Sequence, residues 1–199
     1  MHKDVCLRPE GRTVISVRGF TLIELLITLS VVSILLFVAM PNMSQWVSDS
    51  RIAETRHRVR AVLSLARSES VRRGVRVTLC ATVDRRRCVS GSRRGKSIWS
   101  QALLFRDYND DRLYFESDKD ELIRILDLTA GGQVLWNRGD STVYEGDGSL
   151  LGGANGSFYI FDEAEMRAGV KLVLQMTGRV READFSNQDI AYVDQYLGH

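Results

Sequence analysis

The stretch that decides the fold is residues 20–40, FTLIELLITLSVVSILLFVAM, in which Glu24 is the single charged residue. A helix rises about 1.5 Å per residue, so this stretch is long enough to cross a hydrocarbon core of roughly 30 Å. A secretory signal peptide would have a shorter apolar region followed by a small-residue cleavage site, and neither feature is present. We therefore expect residues 20–41 to stay in the protein as a helix embedded in membrane lipid.

Beyond Pro41 the apolar residues recur at helical spacing, with arginines mostly between them. The apolar positions are Ile52, Val59, Val62, Leu63, Ala66 and Val71. Because a proline inside a helical pattern produces a kink or a break, we expect Pro41 to interrupt one long helix rather than to end it. Gly74 suits the left-handed position after a helix, which predicts an amphipathic second half over residues 42–73.

From residue 75 onward, short β-branched and apolar runs are separated by turn residues, which is typical of antiparallel sheet. The predicted strands are residues 75–83, 98–105, 122–128, 133–136, 141–145, 157–161 and 170–176. The glycine-rich residues 146–156 are interpreted as a loop, because strand patterns continue on both sides. A chain of 199 residues is long enough for one compact domain and an anchoring helix. We expect a single head over residues 74–199.

Charge is distributed unevenly along the chain. Residues 51–96 hold fourteen Lys/Arg against three Asp/Glu, and residues 97–199 hold nine against eighteen. This distribution predicts a molecule that is basic near the stem helix and acidic beyond it.

The two cysteines of the predicted head, Cys80 and Cys88, are eight positions apart. Their spacing matches no zinc-ligand template, and no second Cys or His pair is placed to complete four ligands, so no metal site is predicted. We prefer a disulfide formed in an oxidising compartment, and two unlinked thiols are the alternative.

Residues 18–24, RGFTLIE, resemble the processing site of type IV prepilins. A basic leader ends in Gly19, the aromatic Phe20 follows, and Glu24 is the lone acid at the fifth position after that junction. In proteins of this type a membrane peptidase cuts after the glycine and methylates the new N-terminal residue. The resemblance implies a cytoplasmic leader over residues 1–19, cleavage between Gly19 and Phe20, methylation of Phe20 and a head in the periplasm.

The position of Glu24 needs a physical explanation, because an ionised carboxylate in hydrocarbon costs several kcal/mol unless it has a partner. The resemblance supplies one, the amino group of Phe20 on a neighbouring subunit, and this pair would help to set the register between subunits. The alternative is a carboxylate that stays neutral or extends to the lipid headgroups.

Further segments resemble the GspH/FimT branch of minor pilins. They are LARSESVRRG at residues 65–74, VTLC at 77–80, Trp99 with LLFRD at 103–107, and GRVR at 178–181. The branch implies a pilin-like α+β fold with a long N-terminal helix, transmembrane in its first half and amphipathic in its second, packed on an antiparallel β-sandwich-like head. It also implies a structural subunit that polymerises with other minor and major pseudopilins or pilins. A membrane-anchored domain that never polymerises is the alternative.

Members of this branch serve two kinds of machine. Some belong to the short pseudopilus of type II secretion, which helps to move folded exoproteins through the outer membrane. Others serve type IV pili, where they prime assembly or bind incoming DNA. Our preferred prediction is a minor pseudopilin of the inner membrane, with prepilin peptidase, other pseudopilins and secreted exoproteins as partners. The alternative is a type IV minor pilin or a DNA receptor.

Two groups of arginines bear on the choice of partner. Arg179 and Arg181 are two positions apart, so in a strand they would project from one face and could each contact a phosphate. The opposing interpretation is that they pair with acids nearby, such as Glu182. A second basic cluster, residues 85–87 with 93, 94 and 96, is predicted to be a solvated loop, with docking of an acidic partner as its alternative.

Two other classes of site are excluded. Asp107, Asn109 and Asp111 have the spacing of three calcium ligands, but Arg112 stands where such a loop requires glycine, so we predict a turn. The only histidines are His2, His57 and His199, and no Ser or Cys lies in a recognisable nucleophile motif. Neither an enzyme activity nor a cofactor is predicted.

Overall fold

The computed structural model describes residues 19–89, 97–115, 119–162 and 169–197, without the side chains of residues 37–42. Apart from Gly19, the predicted leader lies outside the described residues. The chain divides into two units, Met1–Pro41 and Asn42–His199, and each is described by itself.

The first unit is helical from Leu22, within helix α1 (Leu22–Arg73). Thr21 caps this helix, since its Oγ1 accepts a hydrogen bond from the Glu24 backbone N–H at 3.3 Å. Three further hydroxyl groups donate to carbonyl oxygens three or four residues earlier, those of Thr28, Ser30 and Ser33. These hydroxyl groups of an otherwise apolar stretch are thus satisfied within the helix itself.

Over the residues that the structure describes, no helix has both the length and the apolarity needed to cross a bilayer. The predicted span of residues 20–41 extends into residues 37–42, whose side chains lie outside the description, and its insertion into a membrane stays a prediction. The backbone is helical on both sides of Pro41, so this proline does not end the helix.

Helix α1 ends at Arg73, as predicted. Gly74 has a φ of 62°. Its N–H donates to the Val71 carbonyl and the N–H of Val75 donates to the Ser70 carbonyl, both at 3.3 Å. These two bonds form a Schellman motif, which confirms Gly74 as the residue that closes the helix.

The described part of the second unit contains nine strands in two antiparallel sheets. In chain order the strands are β1 (Val77–Thr82), β2 (Ser97–Ile98), β3 (Gln101–Arg106), β4 (Glu121–Asp127), β5 (Gln133–Trp136), β6 (Ser141–Tyr144), β7 (Gly156–Phe161), β8 (Gly169–Leu174) and β9 (Val180–Ala183). One sheet has the order β4-β3-β1-β6, and the other has the order β2-β5-β7-β8-β9. The predicted antiparallel architecture is confirmed.

The prediction of one continuous strand over residues 98–105 is wrong. This stretch is interrupted at Trp99 and Ser100, so that β2 belongs to one sheet and β3 to the other. The fully buried Trp99 ring lies edge-on to Phe158 and Trp136, at centroid distances of 5.5 and 6.5 Å. Burial of this large side chain in the core explains why the chain leaves one sheet here and enters the other.

Helix α1 and the two sheets share one core. Alternate strand residues point toward it, because successive side chains of a strand lie on opposite faces. In β1, Leu79 belongs to this core and Cys80 to a smaller cluster behind the sheet. The helix contributes Ile52, Val59, Val62, Leu63 and Ala66. Each fully buried Val or Leu of this face contributes about 1.5–3 kcal/mol to folding.

A second helix, α2 (Asn187–Leu197), was not predicted. It packs Val193 against Leu135, Tyr159 and Phe161 on the outer face of its sheet. Its start carries a sequence signal, a capping box between Ser186 and Asp189. The Ser186 backbone N–H donates to Asp189 Oδ2 at 3.0 Å, and the Asp189 N–H donates back to Ser186 Oγ at 3.3 Å.

The Asp189 carboxylate also fastens α2 to strand β8. Lys171 Nζ lies 2.7 Å from Asp189 Oδ1, and the aspartate side chain is 9% exposed. Burial acts to raise the pKa of Asp189, but the Lys171 ammonium and the hydrogen bonds from Ser186 outweigh it and hold the pKa below its usual value. The pair therefore stabilises the fold above the pKa of this carboxyl in the unfolded chain, and the contribution is lost as pH falls through the lower folded pKa.

We expect Asp189→Asn to lower the free energy of unfolding by about 1–2 kcal/mol at neutral pH, because it leaves a partly buried ammonium unpaired. The loss should shrink as the medium is made acidic, since the wild-type carboxylate is then protonated as well. Urea denaturation of the full chain in detergent across this pH range measures both effects. Asp194→Asn, on the same helix, is the control, and an equal loss in both variants would refute the role of the Lys171 pair.

Candidate functional site

The proposed cleavage site lies in accessible, non-helical backbone. Gly19 and Phe20 precede the helix, which begins at Leu22. The Phe20 side chain is 83% exposed. A Cβ added at Gly19 would meet nothing within 4 Å. A peptidase needs an accessible, non-helical backbone at its substrate bond, and residues 19 and 20 are exposed and lie outside the helix.

Glu24 lies in the first turn of α1, where a carboxylate is favourable because the helix dipole is positive at that end. The side chain is exposed, and within the described residues its carboxylate has neither a hydrogen bond nor an ion pair. Among the described residues, its carboxyl group is thus left without a partner.

The rest of the N-terminal stretch presents apolar side chains around the whole helix. The exposed ones are Leu22, Ile23, Leu25, Leu26, Ile27, Leu29, Val31, Val32, Ile34, Leu35 and Leu36. A helix that is apolar on all sides is stable only when lipid or other protein covers it. This surface therefore requires an environment that the described residues do not provide.

The structure joins Cys80 and Cys88 in a disulfide. It closes a loop over a small cluster containing Leu103, Phe105 and Tyr114. Inside the loop, the Asp84 carboxylate accepts the backbone N–H groups of residues 86 and 87 at 3.0 and 3.1 Å. These two bonds lower the pKa of Asp84 to about 2, so the carboxylate keeps its charge down to strongly acidic pH.

The basic cluster around this loop is partly paired. Arg85 contacts Asp127 of β4 at 2.7 Å, and Arg87 contacts Asp84 at 3.1 Å. Residues 93, 94 and 96 of the cluster lie outside the described residues. Arg85 and Arg87 thus have nearby acids, as expected of a solvated loop.

The predicted separation of charge into a basic and an acidic half is wrong for the folded head. Five arginines of the basic segment form ion pairs with acids of residues 97–199: Arg56 and Arg60 with Glu182, Arg73 with Glu121, Arg76 with Asp110 and Glu145, and Arg85 with Asp127. The fold brings the two segments together, so much of the sequence asymmetry is neutralised locally.

The turn at residues 107–112 uses its acids as caps for backbone donors. Asp107 Oδ2 accepts the N–H of Arg112 at 2.9 Å, and Asp111 Oδ1 accepts the N–H of Leu113 at 2.7 Å. Burial raises the pKa of Asp107. In the described part of the chain no cluster of His, Cys, Asp or Glu is arranged to hold a metal ion.

Arg179 and Arg181 lie at the edge of the second sheet, where β9 pairs with β8. Both side chains are exposed, and neither forms an ion pair with a described residue. Glu182 instead faces α1, with its carboxylate 3.0 Å from Arg56. Neither Arg179 nor Arg181 therefore pairs with Glu182.

A groove of about 650 Å³ runs between α1 and the start of β9. It is lined by Arg60, Ser64, Arg67, Ser68, Val71, Arg72, Gly178, Arg179 and Val180, and we call it the α1 groove. Arg179 borders the groove, whereas Arg181 does not line it. The sequence analysis missed this site because its lining comes from two segments more than a hundred residues apart.

The comparisons with known proteins agree with this organisation. The model for the family described as Type II transport protein GspH matches residues 55–178, and the model for the prokaryotic N-terminal methylation motif matches residues 16–40. The chain belongs to the GspH family. No curated protein sequence matches the chain significantly.

Two solved structures share the fold of this GspH-family chain. Both are crystal structures of the type IV minor pilin FimU of Pseudomonas aeruginosa, in different space groups. Their TM-scores are 0.50 and 0.52, each at 15% identity. The matches cover 66% and 68% of this chain and 92% and 90% of the FimU chains. The predicted pilin-like α+β fold and the prediction of a structural, non-enzymatic subunit are confirmed.

The family match ends at Gly178, and the structure explains why a glycine stands there. Gly178 has a φ of 72° in the β8–β9 turn, where its N–H donates to the Gln175 carbonyl at 2.8 Å. A Cβ on Gly178 would lie 1.9 Å from the carbonyl oxygen of Gly148. The Arg67 Nε donates to that same oxygen at 3.2 Å, so this close backbone contact fixes one wall of the α1 groove.

We expect Gly178→Ala to lower the free energy of unfolding by about 2 kcal/mol or more, because the left-handed backbone and the clash with a carbonyl oxygen both oppose a side chain. Thermal denaturation of the full chain in detergent measures the loss. Gly152→Ala is the matched control, since a Cβ there meets nothing within 4 Å. Equal stability of the two variants would contradict the turn geometry.

Proposed function

We propose that this chain is a minor pseudopilin of a type II secretion pseudopilus. The observation that carries the proposal is the order of the two family matches, a methylation motif at residues 16–40 followed by a GspH head at residues 55–178. In this proposal prepilin peptidase cleaves between Gly19 and Phe20 and Phe20 is methylated. Residues 20–41 anchor the chain in the inner membrane, and the head is periplasmic.

The role that we propose for Glu24 is to bind the amino group that cleavage creates on a neighbouring subunit. The carboxylate is exposed in the first helical turn, and no described residue satisfies it. Apolar side chains surround it. In such surroundings an ion pair is much stronger than in water, and an unpaired charge is costly. The pair would thus favour one register between subunits, while the apolar stretch ending near Pro41 packs against other pseudopilins and lipid.

The alternative function is that of a type IV minor pilin, which acts in pilus assembly or as a DNA receptor. The likeness to FimU supports this alternative at the level of fold. The exposed Arg179 and Arg181, both without an ion pair among the described residues, support the DNA role. Phosphate binding needs cations of this kind.

To test the proposal, we would complement a strain lacking this chain with the wild type, Glu24→Ala or Asp49→Ala. We expect all three proteins to be cleaved, so that intact mass spectrometry finds each without residues 1–19 and with one added methyl group. Glu24→Ala should fail to restore exoprotein secretion, because the proposed ion pair is absent. Asp49→Ala removes another exposed acid of the same helix and should behave as the wild type.

The readouts also separate the two machines. Loss of secretion with surface pili intact supports the pseudopilus, and loss of pili with secretion intact supports the type IV pilus. If the wild-type protein retains residues 1–19 in cells with active prepilin peptidase, or if Glu24→Ala restores both processes fully, the assembly role of Glu24 is refuted.

For the DNA role, we expect the double change Arg179→Ala/Arg181→Ala to weaken binding of duplex DNA by the detergent-solubilised full chain. If each arginine neutralises one phosphate, the slope of log K against log salt should fall by about 2. Fluorescence anisotropy over a range of NaCl concentrations measures the slope. Arg124→Ala, an exposed arginine of β4, is the control, and absence of wild-type binding at low salt would remove the DNA role.

A further inference from the structure

The α1 groove has the chemistry of a docking site. We propose that it receives an acidic, aliphatic peptide segment of a neighbouring pilin-like subunit. This inference rests on the proposed function, in which the chain is assembled with other subunits. It goes beyond that function by naming the surface of the head, and the chemistry of the partner segment, that make the contact.

The first argument is charge. Four arginines line the groove, Arg60, Arg67, Arg72 and Arg179, and its lining contains no acidic residue. Acids outside the lining pair with two of them: Glu182 lies 3.3 Å from Arg60, and Glu69 contacts Arg72. Arg67 donates to a carbonyl oxygen, and Arg179 forms no ion pair with a described residue. The groove therefore keeps a positive field that favours carboxylates.

The second argument is the apolar strip within this positive lining. Val71 is 53% exposed on α1, and the half-buried Val180, at the start of β9, lines the same groove. Val71 follows the last core residue of the helix, Ala66, but contributes to the wall of the groove instead of to the core. Aliphatic side chains of a partner would remove this surface from water, as in the buried centre of a protein interface.

The same lining disfavours nucleic acid as the occupant. Single strands are held by aromatic side chains on which bases stack, and the groove has none. A volume of about 650 Å³ accommodates a few residues of peptide, whereas a duplex needs an open or convex surface. A short peptide that carries both carboxylates and aliphatic side chains matches the groove best.

The third argument is the position of the groove on the stem helix. The second half of α1 gives one face to the core, through Val59, Val62 and Leu63, and the adjacent face to the groove, through Ser64 and Ser68. In the proposed function subunits associate along their stem helices, so a neighbour passes the groove side of this helix. The close backbone contact between Gly178 and Gly148 holds the opposite wall of the groove in place, so the site is preformed.

The test uses photo-crosslinking in cells that assemble the filament, with the full chain carrying a benzophenone amino acid at Ser68 in the groove. A second version carries the same probe at Leu29, on the apolar N-terminal stretch, and reports assembly independently of the groove. We expect both probes to crosslink pilin-like subunits. At Ser68, mass spectrometry should find a partner peptide with at least two Asp or Glu residues.

A charge variant makes the test specific. Arg179→Glu should reduce the Ser68 crosslink about fivefold, because it places an acid opposite the carboxylates of the partner. Replacing the crosslinked acid of the partner by arginine should restore it. Arg124→Glu, the same change on β4, should leave the crosslink unchanged, and thermal denaturation of all variants checks that the head remains folded.

The possible results separate the two proposals. Crosslinks at Leu29 without a pilin-like partner at Ser68 overturn the docking site and leave the proposed function standing. A Ser68 crosslink to DNA, to a secreted protein or to a segment without acids also overturns it. If neither position crosslinks a pilin-like subunit, the proposed function fails together with the docking site that rests on it.

Discussion

The packing of one helical face against two sheets at once is the interaction on which the head depends. The inner faces of both sheets are apolar, and α1 covers them through a shared core that includes Val59, Leu63 and Ala66. Without this half of the helix both faces would meet water, at a cost of about 25 cal/mol for each Å² of apolar surface. The stem and the head of this GspH-family chain are therefore one folding unit from about residue 52 onward.

That constraint explains which parts of the fold the sequence could predict. The periodicity of α1, the stop at Gly74 and the alternation within the strands are local patterns, and each follows from backbone geometry over a few residues. The break at Trp99 is not local. The run at residues 98–105 reads as one strand, and only the need to bury a large ring against Trp136 and Phe158 divides it.

The candidate site divides in the same way. Gly19, Phe20 and Glu24 could be proposed from the sequence, because the motif that suggests them is contiguous over seven residues. The α1 groove could not be found, since it joins Val71 and Arg72 to Gly178 and Arg179 across the fold. Helix α2 is an intermediate case. Its capping box at Ser186 and Asp189 is visible in the sequence, but the contact that holds the helix against the sheet comes from Lys171, on strand β8.

The charges of the head show why composition is a poor guide to a binding surface. Counted along the chain, the basic segment suggested a large positive region, yet its arginines meet acids of the other segment at distances such as 2.7 Å for Arg73 and Glu121. Exposed pairs of this kind contribute only about 0–1 kcal/mol each to stability, but they cancel the field that a distant partner would feel. The charges that remain for recognition are those without such an acid. One of these is Arg179, just before β9, and its place in the groove lining with the exposed Val71, rather than the total number of arginines, is what gives the groove the preference that we propose.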